Sequence, residues 1–346
     1  MKQVKNILAA AALLALPIAF TSCEDVLGHW EKPVPATPAA TTEEEEPAVV
    51  AAADQYLKWS TADNKLVVED IPAGYITMES STTTWNSNYI VESDVTITGD
   101  VTISGDANII LKDGVTLTVN GRVAGVNKLC IFAQNSDATA AGKLVIAPTS
   151  MAGSASSALS VSELQIHGGD ITATGHDNST AAGDDGLKTT GKMFIYAGKV
   201  TATGGAHDGG STSGGIGIIC SGNELHIYKA EVSATGGNTN SSGSSGYGIS
   251  CGGESLLDPQ LVIDGGTVTA KAGDATGATA GIVSTKLTVN SGKLLTQGNS
   301  SSGKGFNGSV MYLGAGLTAK GGSDGVNYPY SYSNNSNPAD RYLKVE

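Results

Sequence analysis

Four aspartates in neighbouring loops have the chemistry to bind a metal ion. Asp184 and Asp185 stand together in the segment GDDG, and Asp177 and Asp208 end the segments GHD and GGAHD on either side of it. Carboxylates from adjacent turns of a repetitive fold can converge on Ca²⁺, a hard cation that takes about six to eight oxygen ligands. The alternative is ordinary turn chemistry, because Asp-Gly pairs suit tight turns. Later repeats replace DDG with SGG, SSG and TAG, which confines any calcium site to one or two turns.

A group of aromatic side chains recurs at matching positions of three consecutive repeats. Aromatic residues make up only 5% of the chain, so their grouping is distinctive. Such rings pack on the C–H faces of sugars, and Tyr and His add hydrogen bonds to hydroxyl groups. The alternative is that stacked rings only stabilise neighbouring strands, or lie under a loop. The predicted carbohydrate-binding residues are His167, Phe194, Tyr196, His226 and Tyr228.

A twelve-residue repeat sets the positions of these residues. The first copy, LQIHGGDITATG, begins at Leu164, and further copies begin at residues 193, 225, 261, 287 and 310. Apolar residues alternate on both sides of a Gly-containing bend in each copy, which predicts two short strands joined by a corner. Repeats at this spacing indicate a solenoid, because a single unit cannot bury its apolar side alone.

A third short strand precedes each copy and completes the turn. Its central apolar residues are expected to form one inward column. Helical folds are excluded because Gly and β-branched residues dominate and no segment has a period of 3.6. The predicted fold is therefore all-β, a parallel β-helix with three strands per turn and an inward column of Leu159, Leu187, Ile218, Ile249, Ile282 and Phe306.

The same alternation places two cysteines inside the solenoid. Cys220 and Cys251 each follow an inward Ile by two residues, so they are predicted to stack on neighbouring turns about 4.7–4.9 Å apart. We expect a buried ladder of small apolar side chains rather than a disulfide. Neither thiol is expected to be reactive.

The N-terminal segment predicts an exported, lipid-anchored protein. Residues 1–22 resemble a lipoprotein signal peptide that ends in FTSC, with Cys23 as the lipidated residue; the alternative is an ordinary signal peptide. Glu24 and Asp25 resemble the surface-export signal of Bacteroidetes lipoproteins. Residues 23–55 read as a flexible linker rich in Pro, Ala, Thr and Glu. The β-helix domain is predicted to span 56–346, with caps at 56–90 and 324–346.

The charge of the chain argues against nucleic acid as a partner. The formal net charge is −13, and Arg122 and Arg341 are the two arginines of the sequence. Nucleic-acid binding needs clustered Lys and Arg. The expected partners are a polysaccharide and, through the lipid at Cys23 alone, a membrane, with location at the outer membrane or cell surface. A protein partner is not identified by the sequence.

The unit GDDGLKTTGKMFIYAGKVTATGG resembles the repeats of carbohydrate-binding β-helix proteins related to pectate lyases. The resemblance covers about residues 85–323. It implies a right-handed β-helix, calcium at the Asp-Asp-Gly turn and binding of acidic polysaccharide such as polygalacturonate. Asp184 and Asp185 are the two residues that match the metal-binding turn.

Three functions follow from these patterns. The first is non-catalytic binding of carbohydrate, expected to be an acidic polysaccharide and calcium-dependent. The second is an adhesin or structural spacer with a protein partner. The third is a calcium-dependent polysaccharide lyase, for which Lys188 and Lys199 are candidate bases, but the Gly-His-Gly and Arg-Ile-Lys motifs of polygalacturonase-type hydrolases are missing. No catalytic residue is assigned.

Overall fold

The structure, a computed structural model, describes residues 47–149, 156–209, 213–222, 224–240, 245–252, 259–300 and 302–346. The predicted signal peptide, Cys23 and most of the linker lie outside these residues. All regular elements in the described part are β-strands, and that part holds no helix long and apolar enough to cross a membrane.

The first fifteen strands are β1 (Gln55–Ser60), β2 (Lys65–Asp70), β3 (Ile76–Thr77), β4 (Thr84–Trp85), β5 (Asn88–Val91), β6 (Val95–Ile97), β7 (Val101–Ile103), β8 (Ala107–Leu111), β9 (Thr116–Val119), β10 (Val123–Gly125), β11 (Lys128–Ala133), β12 (Lys143–Ile146), β13 (Ser157–Val161), β14 (Glu163–Ile166) and β15 (Asp170–Thr174). The others are β16 (Asp185–Thr189), β17 (Met193–Ile195), β18 (Lys199–Thr203), β19 (Ile218–Cys220), β20 (Glu224–Ile227), β21 (Glu231–Thr235), β22 (Ile249–Cys251), β23 (Gln260–Lys271), β24 (Ile282–Ser284), β25 (Lys286–Gln297), β26 (Phe306–Asn307), β27 (Val310–Leu313), β28 (Ala319–Gly322), β29 (Tyr330–Tyr332) and β30 (Tyr342–Val345).

Most strands form the predicted right-handed parallel β-helix, with three faces. The first face contains the strands that open each repeat, among them β11, β14, β17 and β20, which pair in parallel. The second face contains the strands after the bend, among them β12, β15, β18 and β21. The third face is a nine-stranded sheet that runs from β4 to β26. Strands β23 and β25 continue through the bend and belong to both the first and the second face.

The inward column predicted for the third face is confirmed residue by residue. Its six members pair in register from one turn to the next, and all of them are fully buried. Cys220 likewise lies opposite Cys251, and both thiols are buried and free, so the predicted ladder is also confirmed. The hydrogen bond with Cys220 and burial together raise the pKa of the Cys251 thiol. This pair therefore belongs to the core.

The register of the sixth repeat differs from the prediction by one residue. The first and third residues of each repeat are expected to point inward, which in this repeat are Val310 and Tyr312. Instead, Met311 pairs with Leu287 and is fully buried. The segment VMYL allows either alternation, and the long Met side chain occupies the core position. Tyr312 therefore faces outward, where the Lys286 ammonium lies 5.2 Å from its ring centre.

The predicted N-terminal cap, residues 56–90, has two parts with different positions. Strands β3 to β5 belong to the first turns of the solenoid, where Trp85 is completely buried in the main core. Strands β1 and β2 form an antiparallel hairpin, and Leu57 of β1 lies opposite Ala133 of β11. The hairpin therefore packs on the side of the solenoid, against the first face. Its apolar side chains pack on outward-facing apolar side chains of the first face, such as Ile110 and Phe132.

The C-terminal segment forms an antiparallel sheet at the last turn. Strand β30 pairs with β25 on one side and with β28 on the other, and β28 also pairs with β29. Leu343 and Val345 of β30 are fully buried in the main core. We call residues 310–346 the C-terminal cap.

Candidate functional site

Outward side chains of the first face form two parallel columns. Gln165, Phe194 and His226 are aligned on β14, β17 and β20, and we call them the open column. The second column contains the residues directly after the inward Ile of each strand, and we call it the covered column. Its members are Phe132, His167, Tyr196 and Tyr228. All five predicted carbohydrate-binding residues therefore lie on one face of adjacent turns.

The covered column is a continuous stack of rings. Ring centres are 4.6 Å apart between Phe132 and His167, 4.7 Å between His167 and Tyr196, and 4.9 Å between Tyr196 and Tyr228. The interplanar angles run from 11° to 27°. These spacings match the distance between parallel strands, so each ring packs on the next turn.

The β1–β2 hairpin covers this stack. The Trp59 indole lies 5.9 Å from the Tyr196 ring centre and 5.4 Å from that of Tyr228. The Trp59 backbone N–H donates a hydrogen bond of 3.1 Å to Nδ1 of His167. As a result His167 and Tyr196 are only 5% and 6% exposed. His167 and Tyr196 are therefore covered by another segment of the chain, as in the alternative in which the rings lie under a loop.

Burial changes the protonation of both covered residues. Desolvation, with the nearby charges of Lys58 and Lys128, lowers the pKa of His167 to about 3. His167 is therefore neutral near pH 7, which leaves its Nδ1 free to accept the Trp59 N–H. Burial also raises the pKa of Tyr196 to about 12. Neither group is suited to acid–base chemistry at neutral pH.

The open column stays accessible beside the hairpin. Phe194 and His226 are half-buried, and their polar neighbours lie along the strand edges. His226 stacks on Tyr228 with 4.1 Å between ring centres, and its Nε2 is hydrogen-bonded to Asp264. Glu224 lies 3.7 Å from His226 Nδ1 and forms a 2.9 Å ion pair with Lys192. Both nitrogens of His226 thus face carboxylates.

Two residues of the site were not predicted from the sequence. Phe132 lies in the segment LCIFAQ, and extending the period-two count back by one turn places it in register with His167. Trp59 is more than 100 residues away along the chain from His167, and no pattern in the repeats indicates its contact.

The carboxylates of GDDG are used within the fold. Oδ1 of Asp184 accepts the Ser156 N–H at 2.6 Å, and burial raises the pKa of Asp184, whose Oδ2 is buried without a partner. Asp185 accepts the Ile216 N–H at 2.9 Å and the Ser157 hydroxyl at 3.3 Å. Burial raises the pKa of Asp185 to about 6, although these hydrogen bonds act to lower it.

The other two predicted calcium ligands serve loop structure. Asp177 accepts the Ala206 N–H at 2.7 Å, and Asp208 accepts the side-chain N–H of Asn240 at 3.1 Å. Across the described ranges, no three His, Cys, Asp or Glu side chains are placed to hold a metal ion. The orphaned Asp184 Oδ2 is a single donor, whereas Ca²⁺ takes about six or more oxygens. Calcium binding by the four aspartates therefore stays a prediction from the sequence.

Steric packing explains why later turns have glycine in the place of Asp184. Gly215 occupies that place one turn later, and a Cβ on Gly215 would lie 1.9 Å from the Asp184 carbonyl oxygen. A Cβ on Gly246, one turn further, would lie 1.6 Å from the Gly215 oxygen. The observed register places Ile216 in the position of Asp185, so packing of this kind accounts for the loss of the first acid alone.

The lysines considered as lyase bases are engaged in ion pairs. Lys188 Nζ lies 3.9 Å from an Asp185 carboxylate oxygen, and Lys199 Nζ lies 3.7 Å from Glu231.

No protein-family model matches this chain, and neither a curated protein nor a solved structure matches it. The resemblance to carbohydrate-binding β-helix proteins therefore remains a prediction from the repeat sequence.

Proposed function

We propose that the chain is a non-catalytic carbohydrate-binding protein of the cell surface, held by a lipid on Cys23. The observation that carries the proposal is the half-exposed ring of Phe194 in the open column, with a polar side chain on each adjacent strand. Gln165 and His226 flank Phe194 on the adjacent strands. A sugar ring needs such a combination of an apolar platform and polar edges.

The covered column lies directly beside this site. Phe194 lies 5.9 Å from Tyr196, with ring planes within 8° of each other. Tyr196 in turn is fixed by Trp59 on one side and by the neighbouring rings of the stack on the other. A rigid platform loses little conformational entropy when a ligand binds. The buried rings therefore position the accessible ones.

The charges beside the open column indicate which sugars it accepts. Glu224 and Asp264 flank His226, and Lys192 is already paired with Glu224. A neutral or amino sugar fits these surroundings better than a uronate, because the carboxylate of a uronate would lie beside those of Glu224 and Asp264. An acidic polysaccharide would need a bridging cation, and each of the four aspartates already accepts a hydrogen bond within the fold.

Replacing Phe194 with Ala tests the proposal. A glycan array identifies the ligand of the chain without residues 1–23, and calorimetry then compares variants. We expect Phe194→Ala to weaken binding at least tenfold, because a buried sugar–ring contact contributes about 1–2 kcal/mol or more. Val126→Ala, which removes an exposed apolar side chain elsewhere, serves as the matched control. Binding by Phe194→Ala that equals the unmodified chain would remove the site.

The same measurement also tests whether calcium takes part in binding. Calorimetry in EDTA and again in excess Ca²⁺ shows whether the ion takes part. The donor geometry leads us to expect equal affinity under both conditions. An affinity that disappears in EDTA and returns with Ca²⁺ would restore the calcium-dependent alternative, and Asp184→Asn would then have to abolish the effect.

The structural spacer is the second candidate function. It is favoured by the burial of His167 and Tyr196 beneath the hairpin, since these rings stabilise strand stacking whether or not a glycan binds. A glycan array without any ligand, together with retained folding, would favour the spacer over the binding protein.

A further inference from the structure

The C-terminal end of the chain carries the opposite charge to the rest. Residues 275–346 contain six Lys and Arg against three Asp and Glu, although the whole chain has 20 against 33. Five of the eleven tyrosines also lie in this part: Tyr312, Tyr328, Tyr330, Tyr332 and Tyr342. The C-terminal cap itself, residues 310–346, has three Lys and Arg against three Asp and Glu, so it lacks the acidic excess of the whole chain.

Its lysines share the outward face of the antiparallel sheet. Lys320 of β28 lies directly opposite Lys344 of β30, and directly opposed residues of antiparallel strands point to the same face. Lys344 also lies opposite Leu295 of β25, two residues after Lys293. Glu346 forms a 2.5 Å ion pair with Lys344. Its hydrogen bond with Lys344, together with the charges of Lys320 and Lys293, lowers the pKa of Glu346.

The opposed pair of lysines is unfavourable for folding alone. Like charges directly opposite each other on neighbouring strands destabilise a sheet. Lys344 has Glu346, but Lys320 makes no ion pair in the part of the chain that the structure describes. Glu346 offsets part of this repulsion, and a further anion that contacts both ammonium groups would reduce it more.

A cavity lies next to the lysine pair. Its volume is about 400 Å³, and Lys320 is one of its lining residues, with Leu313, Leu317, Ser331, Tyr332 and Asn334. This volume falls in the range of small-ligand sites, about 300–1,000 Å³. The Tyr332 hydroxyl donates a 2.6 Å hydrogen bond to Asp340, which fixes the ring. The cavity thus combines an apolar floor with hydroxyl and amide groups at its rim, as a saccharide requires.

We infer that the C-terminal cap binds a sulfated polysaccharide, with a sulfate ester between Lys320 and Lys344 and an adjoining sugar ring in the cavity. Adjacent strands lie about 4.7–4.9 Å apart, and the tetrahedral oxygens of one sulfate can reach ammonium groups on both strands. A sulfate ester offers three charged oxygens to this pair, whereas a carboxylate offers two. The site and its ligand class are separate from the open column, so the inference stands independently of the proposed function.

Three forms of one polymer test the inference directly. Binding of the chain without residues 1–23 is measured by calorimetry to dextran sulfate, to carboxymethyl-dextran of equal charge density and to neutral dextran. We expect binding to dextran sulfate that weakens as NaCl is added, with at least fivefold lower affinity for Lys320→Gln. Lys65→Gln, which removes one exposed lysine from β2, is the matched control and keeps its affinity within twofold.

Each other outcome overturns the inference in a defined way. Equal losses in Lys320→Gln and Lys65→Gln mean that net charge alone drives binding. Equal affinity for carboxymethyl-dextran removes the preference for sulfate, and equal affinity for single-stranded oligothymidylate removes the preference for a saccharide. Thermal unfolding without ligand checks the variant, because relief of the lysine repulsion should leave Lys320→Gln at least as stable as the unmodified chain. A Phe194→Ala variant keeps its binding to dextran sulfate, which separates this site from the open column.

Discussion

His167 illustrates how a side chain with ligand-binding chemistry becomes part of the packing. Its ring lies between Phe132 and Tyr196, and its Nδ1 accepts the backbone N–H of Trp59. Protonation would place a second N–H where the acceptor is needed and a charge where there is little water. The neutral imidazole is therefore a structural requirement for the closed hairpin.

The stability of the chain should fall in acid because of His167. Its pKa is about 3 in the folded chain and 6.5 when unperturbed, so the unfolded chain binds more protons between these values. Stability is complete above pH 6.5 and falls by about 1.4 kcal/mol for each pH unit below it. Urea unfolding at pH 7.5 and 4.5 should thus differ by about 2–3 kcal/mol from this group. His167→Phe keeps the ring and should lose that difference.

Tyr196→Phe is the control for this measurement. Tyr196 belongs to the same stack, but burial holds its pKa at about 12, so it does not titrate between pH 4.5 and 7.5. The variant should therefore show the same acid dependence as the unmodified chain. Acid dependence in His167→Phe that equals that of Tyr196→Phe would contradict the role assigned to His167.

At the scale of elements, the β1–β2 hairpin is attached to the first face through β1. Leu57 pairs with Ala133, Tyr56 packs on Phe132 with 5.1 Å between ring centres, and Trp59 contacts Tyr196 and Tyr228. The indole N–H of Trp59 is buried without a partner in the described part of the chain. Such an orphaned donor costs about 1–3 kcal/mol, which reduces the net gain from closing the hairpin. We therefore expect the hairpin to open more readily than the solenoid.

Two substitutions at Trp59 separate ring packing from the orphaned donor. Trp59→Ala removes the packing, so amide hydrogens of residues 55–70 should exchange at least tenfold faster in mass-spectrometric hydrogen exchange. Trp59→Phe keeps an aromatic ring and removes the unpaired N–H, so protection should be kept or increased. Exchange in β16 to β22 should not change in either variant. Unaltered protection of residues 55–70 in Trp59→Ala would show that other contacts hold the hairpin.

Charge alternation helps to set the register of the strands. The charged residues at the starts of neighbouring strands alternate in sign on both faces. On the first face they are Lys128, Glu163, Lys192 (directly before β17) and Glu224, and on the second face Lys143, Asp170, Lys199 and Glu231. Three of these neighbours form ion pairs of 2.9–3.7 Å. Exposed pairs contribute little individually, about 0–1 kcal/mol. Their value lies in excluding pairings in which like charges meet.

At the scale of the molecule, period-two alternation was sufficient to predict the fold and its inward columns. It succeeded because every turn buries the same positions, as with Leu187 and Ile218. It failed at Val310, where adjacent apolar residues allow two registers. The alternation also could not predict the position of the hairpin, because Trp59, which contacts His167, lies outside the repeats. The prediction of neighbours on one face was therefore correct, while their exposure depended on a distant segment.

A run of backbone hydrogen bonds between glycines connects the turns at one corner. The N–H of Gly215 donates to Gly205, that of Gly237 to Gly215, that of Gly246 to Gly237 and that of Gly273 to Gly246, over 2.7–3.0 Å. Each link joins the loop leaving the second face to the loop entering the third face. In a solenoid, stability depends on such interfaces between neighbouring turns. A defect at one link should therefore separate the turns on its two sides.

Gly246→Ala tests this connection. The new Cβ would lie 1.6 Å from the Gly215 carbonyl oxygen, so the backbone of one turn has to move, and we expect a loss of about 3 kcal/mol or more. Gly99→Ala, where a Cβ meets nothing within 4 Å, should change stability by less than about 1 kcal/mol. Urea unfolding followed by hydrogen exchange should show two transitions for Gly246→Ala, with β22 to β30 losing protection separately from β4 to β19. One transition at the midpoint of the unmodified chain would mean that the corner does not couple the turns.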